Sequence, residues 1–189
     1  MTKGDSVFFE NLLRGDDPKV MIANLGFKVD WEKVHHRLLD FNKRYPLLVN
    51  FFARGGHSSG YSWPEVHDLL KKFDEELQEE GLDPFFSVIF DGLGHGFYIN
   101  HGWLLANESG VHDPHQDGGY MGSHRAIFNF GCVDKTMTFS CGGKTVTITI
   151  PHMSVVILSR EGGGVYGDIF HGVRSDFSSW ILVVEISAK

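Results

Sequence analysis

The spacing of hydrophobic positions along the chain changes near residue 84. Before this point, hydrophobic residues recur every three or four positions, which is typical of helices packed on one side. The stretch "DWEKVHHRLLDFNKRY" (30–45) has this spacing and stops before Pro46, so it predicts a first helix. A second helix is predicted from Pro64 to Glu80, because Ser62 and Glu65 form a capping box at its start.

After residue 84, hydrophobic and polar positions alternate in short runs, which is typical of strands. Gly142 and Gly143 form a two-residue hairpin signal between two of these runs. About eight short strands with tight turns favour a sandwich or barrel over a parallel sheet. The predicted strands cover 85–90, 96–105, 125–131, 135–141, 144–150, 153–159, 166–173 and 180–187.

We therefore predict a mainly β fold, a double-stranded β-helix or jelly roll, with an N-terminal helical region packed against it. The whole chain, residues 1–189, is expected to be a single domain. Within it, 1–83 would be mostly helical and 84–189 would form the jelly-roll core.

Composition narrows the class of protein further. The chain is 42% hydrophobic and has 16 Phe, which is enough for a large core. Its formal charge of −7 argues against an extended basic surface for nucleic acid, although a local basic rim stays open. Two cysteines do not make a disulfide scaffold, and no run of 18 apolar residues is present. We expect a cytoplasmic protein, with the nucleus also open, and no membrane partner.

Three glycine-containing motifs resemble catalytic or phosphate-binding motifs but lack the flanking strands or helices that those motifs require. Residues 56–60 match G-x-S-x-G, which would make Ser58 a catalytic serine, but the motif needs a strand before it and a helix after it. The run "GGKT" (142–145) resembles the end of a phosphate-binding loop but leads into a strand, and "GLGHG" (92–96) is interpreted as a turn.

The segment "HDPHQDGG" (112–119) contains the strongest candidate for a site. His115 and Asp117 are two positions apart at a strand end, so their side chains project to the same side. His171, in "DIFHGV" on a late strand, can complete two histidines and one carboxylate, the ligand set of mononuclear non-haem iron(II). Chance histidine pairs are common among 11 histidines, but three ligands divided between an early and a late strand are more specific. His112 and Asp113 are then expected to be turn residues or groups that surround the ligands.

With these motifs, the chain resembles the iron(II)/2-oxoglutarate-dependent dioxygenases over about residues 98–187, with the closest local likeness to AlkB-type members. The likeness is in "HQD", "AIFNFG", "SVVILS", a glycine-rich loop and "FHGV". It implies iron(II) at His115, Asp117 and His171, which would also be the catalytic residues, with 2-oxoglutarate chelating the metal. It further implies that O2 is consumed and that an iron(IV)-oxo species hydroxylates a substrate C–H bond or demethylates the substrate oxidatively.

The chain lacks the residues that the family usually uses to bind the distal carboxylate of 2-oxoglutarate. The family usually has an Arg on its last strand, but the sequence there is "SSWI" (178–181), and AlkB-type members have an Asn-x-Tyr pair that is absent here. A buried carboxylate needs a cation, so Lys135, Arg174 and Arg125 are candidates, with Lys135 and Arg174 favoured. JmjC-type enzymes of the superfamily place a Lys much as Lys135 is placed.

Two alternatives and the identity of the substrate stay open. The chain could be a catalytically silent metal- or ligand-binding jelly roll, or an oxygenase that uses a reductant other than 2-oxoglutarate. The substrate could be a modified nucleic-acid base, a protein side chain or a small metabolite. Trp103, Tyr120 and Tyr166 could stack on a planar substrate, although core packing also explains such aromatics.

Overall fold

A computed structural model of the chain describes residues 20–25, 29–50, 61–107, 110–118, 122–130, 134–159, 169–175 and 179–189. These residues form three helices: α1 (Trp31–Arg44), α2 (Trp63–Glu79) and α3 (Phe86–Gly94). They also form ten strands: β1 (Val20–Asn24), β2 (Leu48–Asn50), β3 (Phe97–Asn107), β4 (Gly110–His115), β5 (His124–Phe130), β6 (Lys135–Cys141), β7 (Lys144–Ile150), β8 (Ser154–Ser159), β9 (Phe170–Ser175) and β10 (Ser179–Ala188).

The strands belong to two sheets, and the fold is mainly β. The larger sheet has the order β1-β8-β5-β10-β3-β2, and the smaller sheet has the order β4-β9-β6-β7. All pairings are antiparallel except that of β2 with β3. From β3 onward the chain passes repeatedly between the sheets, so that β4 and β9, distant in sequence, become neighbours.

Hydrophobic side chains cover both faces of the larger sheet. One face packs against the helices, where Trp31 of α1 lies 5.5 Å from the ring of Phe130 on β5. The opposite face, which we call the inner face, packs against the smaller sheet through Val156 and Leu158 of β8, which contact Met137 of β6. The space between the two inner faces is therefore apolar around β8. Polar groups that face this space elsewhere are exceptions and are candidates for a functional site.

Most predicted elements occur close to the expected positions. Strands β6 and β7 have the predicted bounds, 135–141 and 144–150, and the first two helices differ from prediction by one residue at each end. The predicted strand 166–173 is found as β9, and residues 160–168 lie outside the described part. Strands β1 and β2 were not predicted, because each is short and lacks a clear alternation.

The predicted strand at 85–90 is wrong, because residues 86–94 form helix α3, and of the turn predicted at 92–96 only residues 95 and 96 form one. The carboxylate of Asp74, buried on α2, accepts hydrogen bonds from the backbone N–H groups of Phe85, Phe86 and Ser87. It thereby satisfies donors that the first turn of a helix leaves unpaired. The buried positions 86, 89, 90 and 93 have helical spacing. The apolar run 85–90 alone does not show this spacing, because position 93 lies after the end of the run.

Gly102 on β3 permits the close approach of α2 to the larger sheet. A Cβ atom at this position would lie 2.7 Å from the ring of Trp63 and 2.7 Å from the carbonyl oxygen of Val183. The helix can therefore rest on the sheet only where the side chain is a single hydrogen. No helix in the described ranges is long and apolar enough to cross a membrane.

Candidate metal centre

His115, Asp117 and His171 come together between the two sheets. His115 ends β4 and pairs directly with His171 on β9, so their ring centroids are 4.5 Å apart. Asp117 follows two residues later. One ligand atom from each residue lies within 4.8 Å of the other two.

An irregularity in β4 aims His115 at His171. His112 pairs with Val173 and His115 pairs with His171, so three residue steps on β4 match two on β9. One extra residue of this kind is a β-bulge, a feature that re-aims side chains and occurs often near active sites. Pro114 lies inside the irregular segment, and its lack of an N–H suits a position where ladder hydrogen bonding is interrupted.

Hydrogen bonding orients the imidazole of His115. Its Nδ1 lies 2.9 Å from the carbonyl oxygen of Asp113, so Nδ1 carries the hydrogen and donates it. Its Nε2, the nitrogen that a metal would bind, faces Asp117, 3.5 Å from Oδ1. Metal-binding histidines are commonly oriented in this way, with the outer nitrogen donating to a carbonyl or carboxylate. The backbone of Asp113 thus has the surrounding role that the sequence suggested, while its side chain is exposed.

The charges of the three groups depend on one another. Burial alone would raise the pKa of Asp117, but hydrogen bonds from His115 and His171, with the charge of Arg125, hold it well below its usual range. Burial disfavours the charged ring of His115, yet hydrogen bonds to Asp117 and Asp113 raise its pKa. The carboxylate is therefore ionised, and a bound cation would displace the proton that it shares with the His115 ring.

This donor set fits a divalent transition metal. Two imidazole nitrogens and one carboxylate oxygen converge from one side, which leaves the other side for exchangeable ligands. His171 is 3% exposed, and its Nδ1 has no hydrogen-bond partner among the described residues. Its Nε2 lies 3.4 Å from Oδ2 of Asp117, so this nitrogen is the one that faces the group.

Arg125, at the start of β5, lies beside this group and not in a separate carboxylate pocket. Its Nη1 is 2.7 Å from Oδ2 of Asp117, and its Nη2 is 2.5 Å from Oε1 of Glu185 on β10. The guanidinium carbon lies 5.2 Å from the ring centroid of Trp103. Sequence reasoning named Arg125 only as a co-substrate ligand and did not single out Glu185. Arg125 lies two positions before Ile127 on β5, and side chains two positions apart on a strand point to the same face. Because Ile127 packs on the inner face, this spacing indicated that Arg125 also points inward.

Lys135 lies on the inner face of the smaller sheet. It alternates with Met137 and Phe139 along β6, and Phe139 pairs directly with His171. Lys135 is 5% exposed and makes no hydrogen bond or ion pair with the described residues. Burial lowers the pKa of its ammonium to about 7. The ammonium of Lys135 therefore faces the same interior as the ligands. Along β6 it is four positions from Phe139, the residue that pairs with His171.

Arg174, the other favoured cation, lies on the opposite face of the smaller sheet. It is three residues from His171 on a strand, and an odd spacing places two side chains on opposite faces. It is exposed and pairs across the sheet with Thr136 and Val111. The structure thus brings Lys135, but not Arg174, to the face that carries His171.

The remaining candidate residues are placed as follows. The backbone of His112 pairs with Val173, while its side chain lies outside the description. Trp103 lies against Arg125, the residue whose guanidinium contacts Asp117. Ser58, Tyr120 and Tyr166 fall outside the described residues, and the predictions made for them stay predictions.

An apolar row continues outward from the metal centre. On the inner face of the smaller sheet, His171 pairs with Phe139, and Phe139 pairs with Val146 on the edge strand β7. Phe139 is partly buried, whereas Val146 is 59% exposed. The space between the sheets therefore opens to solvent on this side of the ligand group.

Comparison with known proteins gave distant structural similarity only. No family model matches the chain, and no curated protein matches it. A prolyl-4-hydroxylase from Pseudomonas putida aligns at 10% identity and a TM-score of 0.49, over 96% of this chain and 97% of that one. The non-heme monooxygenase ThoJ, in its apo form, aligns at 10% identity and a TM-score of 0.45, over 89% of this chain and 74% of that one. At these values neither alignment supports an argument, so the function proposed below is based on this chain's own residues.

Proposed function

We propose that this protein is a non-haem iron(II) oxygenase that uses 2-oxoglutarate as co-substrate. The observation that carries the proposal is the convergence of His115, Asp117 and His171, from two distant parts of the chain, on one point between the sheets. The order of the strands, with repeated crossings between two sheets, supports a jelly roll, and we propose that residues 1–189 form one domain.

His115, Asp117 and His171 would hold the metal, and three coordination positions would be left for exchangeable ligands. When bound, iron(II) with 2-oxoglutarate and O2 would supply the oxidant for hydroxylation of a C–H bond, or for demethylation where that carbon is attached to nitrogen. The protein's own contribution is orientation and exclusion of water. The Asp113 carbonyl orients the ring of His115, and the inner faces of the sheets limit access to the metal.

Lys135 is our candidate for the residue that binds the distal carboxylate of 2-oxoglutarate. A buried ammonium is costly, and a carboxylate placed against it would relieve that cost. Among the three cations considered, Arg174 lies on the outer face and Arg125 already contacts two carboxylates. Lys135 therefore combines the required face, burial and charge.

The substrate proposal stays broad. The partly buried Phe139 and the exposed Val146, which form an apolar row beside His171, would contact an apolar part of the substrate. A modified nucleic-acid base, as for the AlkB-type members that the sequence resembles, a protein side chain and a small metabolite are all compatible with such a surface. The formal charge of −7 is the one global feature that disfavours extended nucleic-acid binding.

The decisive experiment measures iron(II) binding and succinate release from 2-oxoglutarate in air, without added substrate. Wild-type protein should bind one iron(II) and release succinate slowly, whereas His115→Ala and His171→Ala should lose both properties. His95→Ala is a matched control, because His95 is exposed at the end of α3, away from the ligand group.

The same assay separates the alternatives. Iron binding with no succinate release and no O2 consumption would support the silent binding module. O2 consumption that does not need 2-oxoglutarate but needs another reductant would support an oxygenase of a different class. Iron content and turnover that are unchanged in both histidine variants would reject the metal centre itself.

A further inference from the structure

Arg125 occupies one of the two oxygens of the candidate metal ligand Asp117. Its Nη1 lies 2.7 Å from Oδ2, which also lies 3.4 Å from Nε2 of His171, while Oδ1 faces Nε2 of His115 at 3.5 Å. The contact arises from the architecture of the sheets, because Arg125 belongs to the larger sheet and Asp117 follows a strand of the smaller one.

The guanidinium is held in place from two further directions. Glu185 is the residue directly opposite Arg125 in the pairing of β10 with β5, and its Oε1 lies 2.5 Å from Nη2. The face of Trp103, on β3, lies 5.2 Å from the guanidinium carbon. Arg125 and Glu185 are 6% and 1% exposed, so water competes little for these contacts. A planar guanidinium with one nitrogen on Glu185 and an aromatic ring beside it has its other nitrogen held in a defined direction.

We propose that Arg125 is a positioning residue that reserves Oδ2 of Asp117, so that Asp117 binds the metal through Oδ1 alone. This inference rests on the proposed function, since it takes the metal to lie at His115, Asp117 and His171. A carboxylate that binds through both oxygens would fill one of the three positions that two His and one single-oxygen carboxylate leave open. Two of those positions are needed for a chelating keto acid, so Arg125 protects the binding of the co-substrate.

The test uses cobalt(II) in place of iron, because its visible absorption reports the number and geometry of its ligands and no turnover is required. Cobalt(II) chloride is titrated into wild type and Arg125→Met, and 2-oxoglutarate is then titrated into each cobalt protein. We expect Arg125→Met to retain cobalt, to show an altered visible spectrum, and to bind 2-oxoglutarate at least about tenfold more weakly.

Two further variants make the result interpretable. Arg125→Met alone leaves Glu185 buried without its cation, which can destabilise the fold, whereas Arg125→Met combined with Glu185→Met removes both buried charges. The double variant should show the same altered spectrum and weakened 2-oxoglutarate binding. Arg44→Met is the matched control, because it removes an arginine that also forms a two-nitrogen contact with a carboxylate, that of Glu76, but on the helical surface.

The outcomes distinguish this inference from the proposed function. If both Arg125 variants keep the wild-type cobalt spectrum and 2-oxoglutarate affinity, the positioning role is wrong and the metal centre stands. If wild type binds no cobalt, or if His115→Ala binds it equally well, the proposed function fails and the inference fails with it. A spectral change that appears equally in Arg44→Met would also overturn the inference.

Discussion

Replacing Lys135 by methionine tests whether the ammonium of Lys135 is buried in the interior of the protein. Burial lowers the pKa of Lys135 from 10.5 to about 7 in the folded chain, whereas the unfolded chain keeps the ordinary value. Between these two pH values the unfolded state binds more protons than the folded state. The free energy of unfolding of the wild type therefore rises as the pH rises through this window, and the full cost of charging Lys135 is present below pH 7.

The size of the effect follows from the two pKa values. Each pKa difference of one corresponds to about 1.4 kcal/mol, so charging Lys135 costs the folded state about 4 kcal/mol at pH 7 and about 2 kcal/mol at pH 9. Methionine has a similar length and no charge, so Lys135→Met removes this dependence. Other groups titrate equally in the two proteins and cancel in the comparison.

The measurement is denaturant unfolding of the metal-free wild type and Lys135→Met at pH 7 and pH 9. Relative to the variant, the wild type should gain about 2 kcal/mol between the two pH values. A difference between the two proteins that is the same at both pH values would show that Lys135 is solvated or paired, and would remove the basis for its proposed role.

The remaining predictions concern co-substrate binding and the fold. A carboxylate bound to Lys135 favours the charged amine, so 2-oxoglutarate binding at pH 8 should take up protons, seen in calorimetry as a heat that depends on the buffer, and Lys135→Met should abolish this uptake. Asp74→Ala leaves three backbone N–H groups at the start of α3 without their acceptor, so it should cost about 2 to 4 kcal/mol and speed hydrogen exchange there, whereas Glu75→Ala on the exposed side of α2 should do neither. Gly102→Ala should destabilise by about 1 to 3 kcal/mol, because the new methyl group meets the Trp63 ring, whereas Gly92→Ala, with open space around its Cβ, should not; equal melting temperatures for the two variants would contradict this reasoning.

Local pattern determined much of the β structure and the membership of the ligand group. Strands β6 and β7 were predicted with their bounds because each alternates cleanly and a glycine pair separates them. The same periodicity predicted that His115 and Asp117 point to one side, and the structure brings them to His171. The same periodicity could also have excluded Arg174 from the site. Arg174 is three residues from His171, and an odd spacing on a strand places two side chains on opposite faces.

Other features were decided only by contacts between distant parts of the chain. Helix α3 forms where a six-residue apolar run indicated a strand, because the carboxylate of Asp74, on another helix, satisfies its first backbone donors. The contact of Arg125 with Asp117 and Glu185 depends on strand pairing between β5 and β10 and on the packing of the two sheets. Periodicity describes only the direction of a side chain from its own strand, whereas pairing partners and depth of burial depend on which strands lie side by side. For that reason the sequence by itself determined which residues could bind a metal, and the tertiary structure decided which cations surround them: Arg125 at the ligand, Lys135 buried nearby on the inner face, and Arg174 outside.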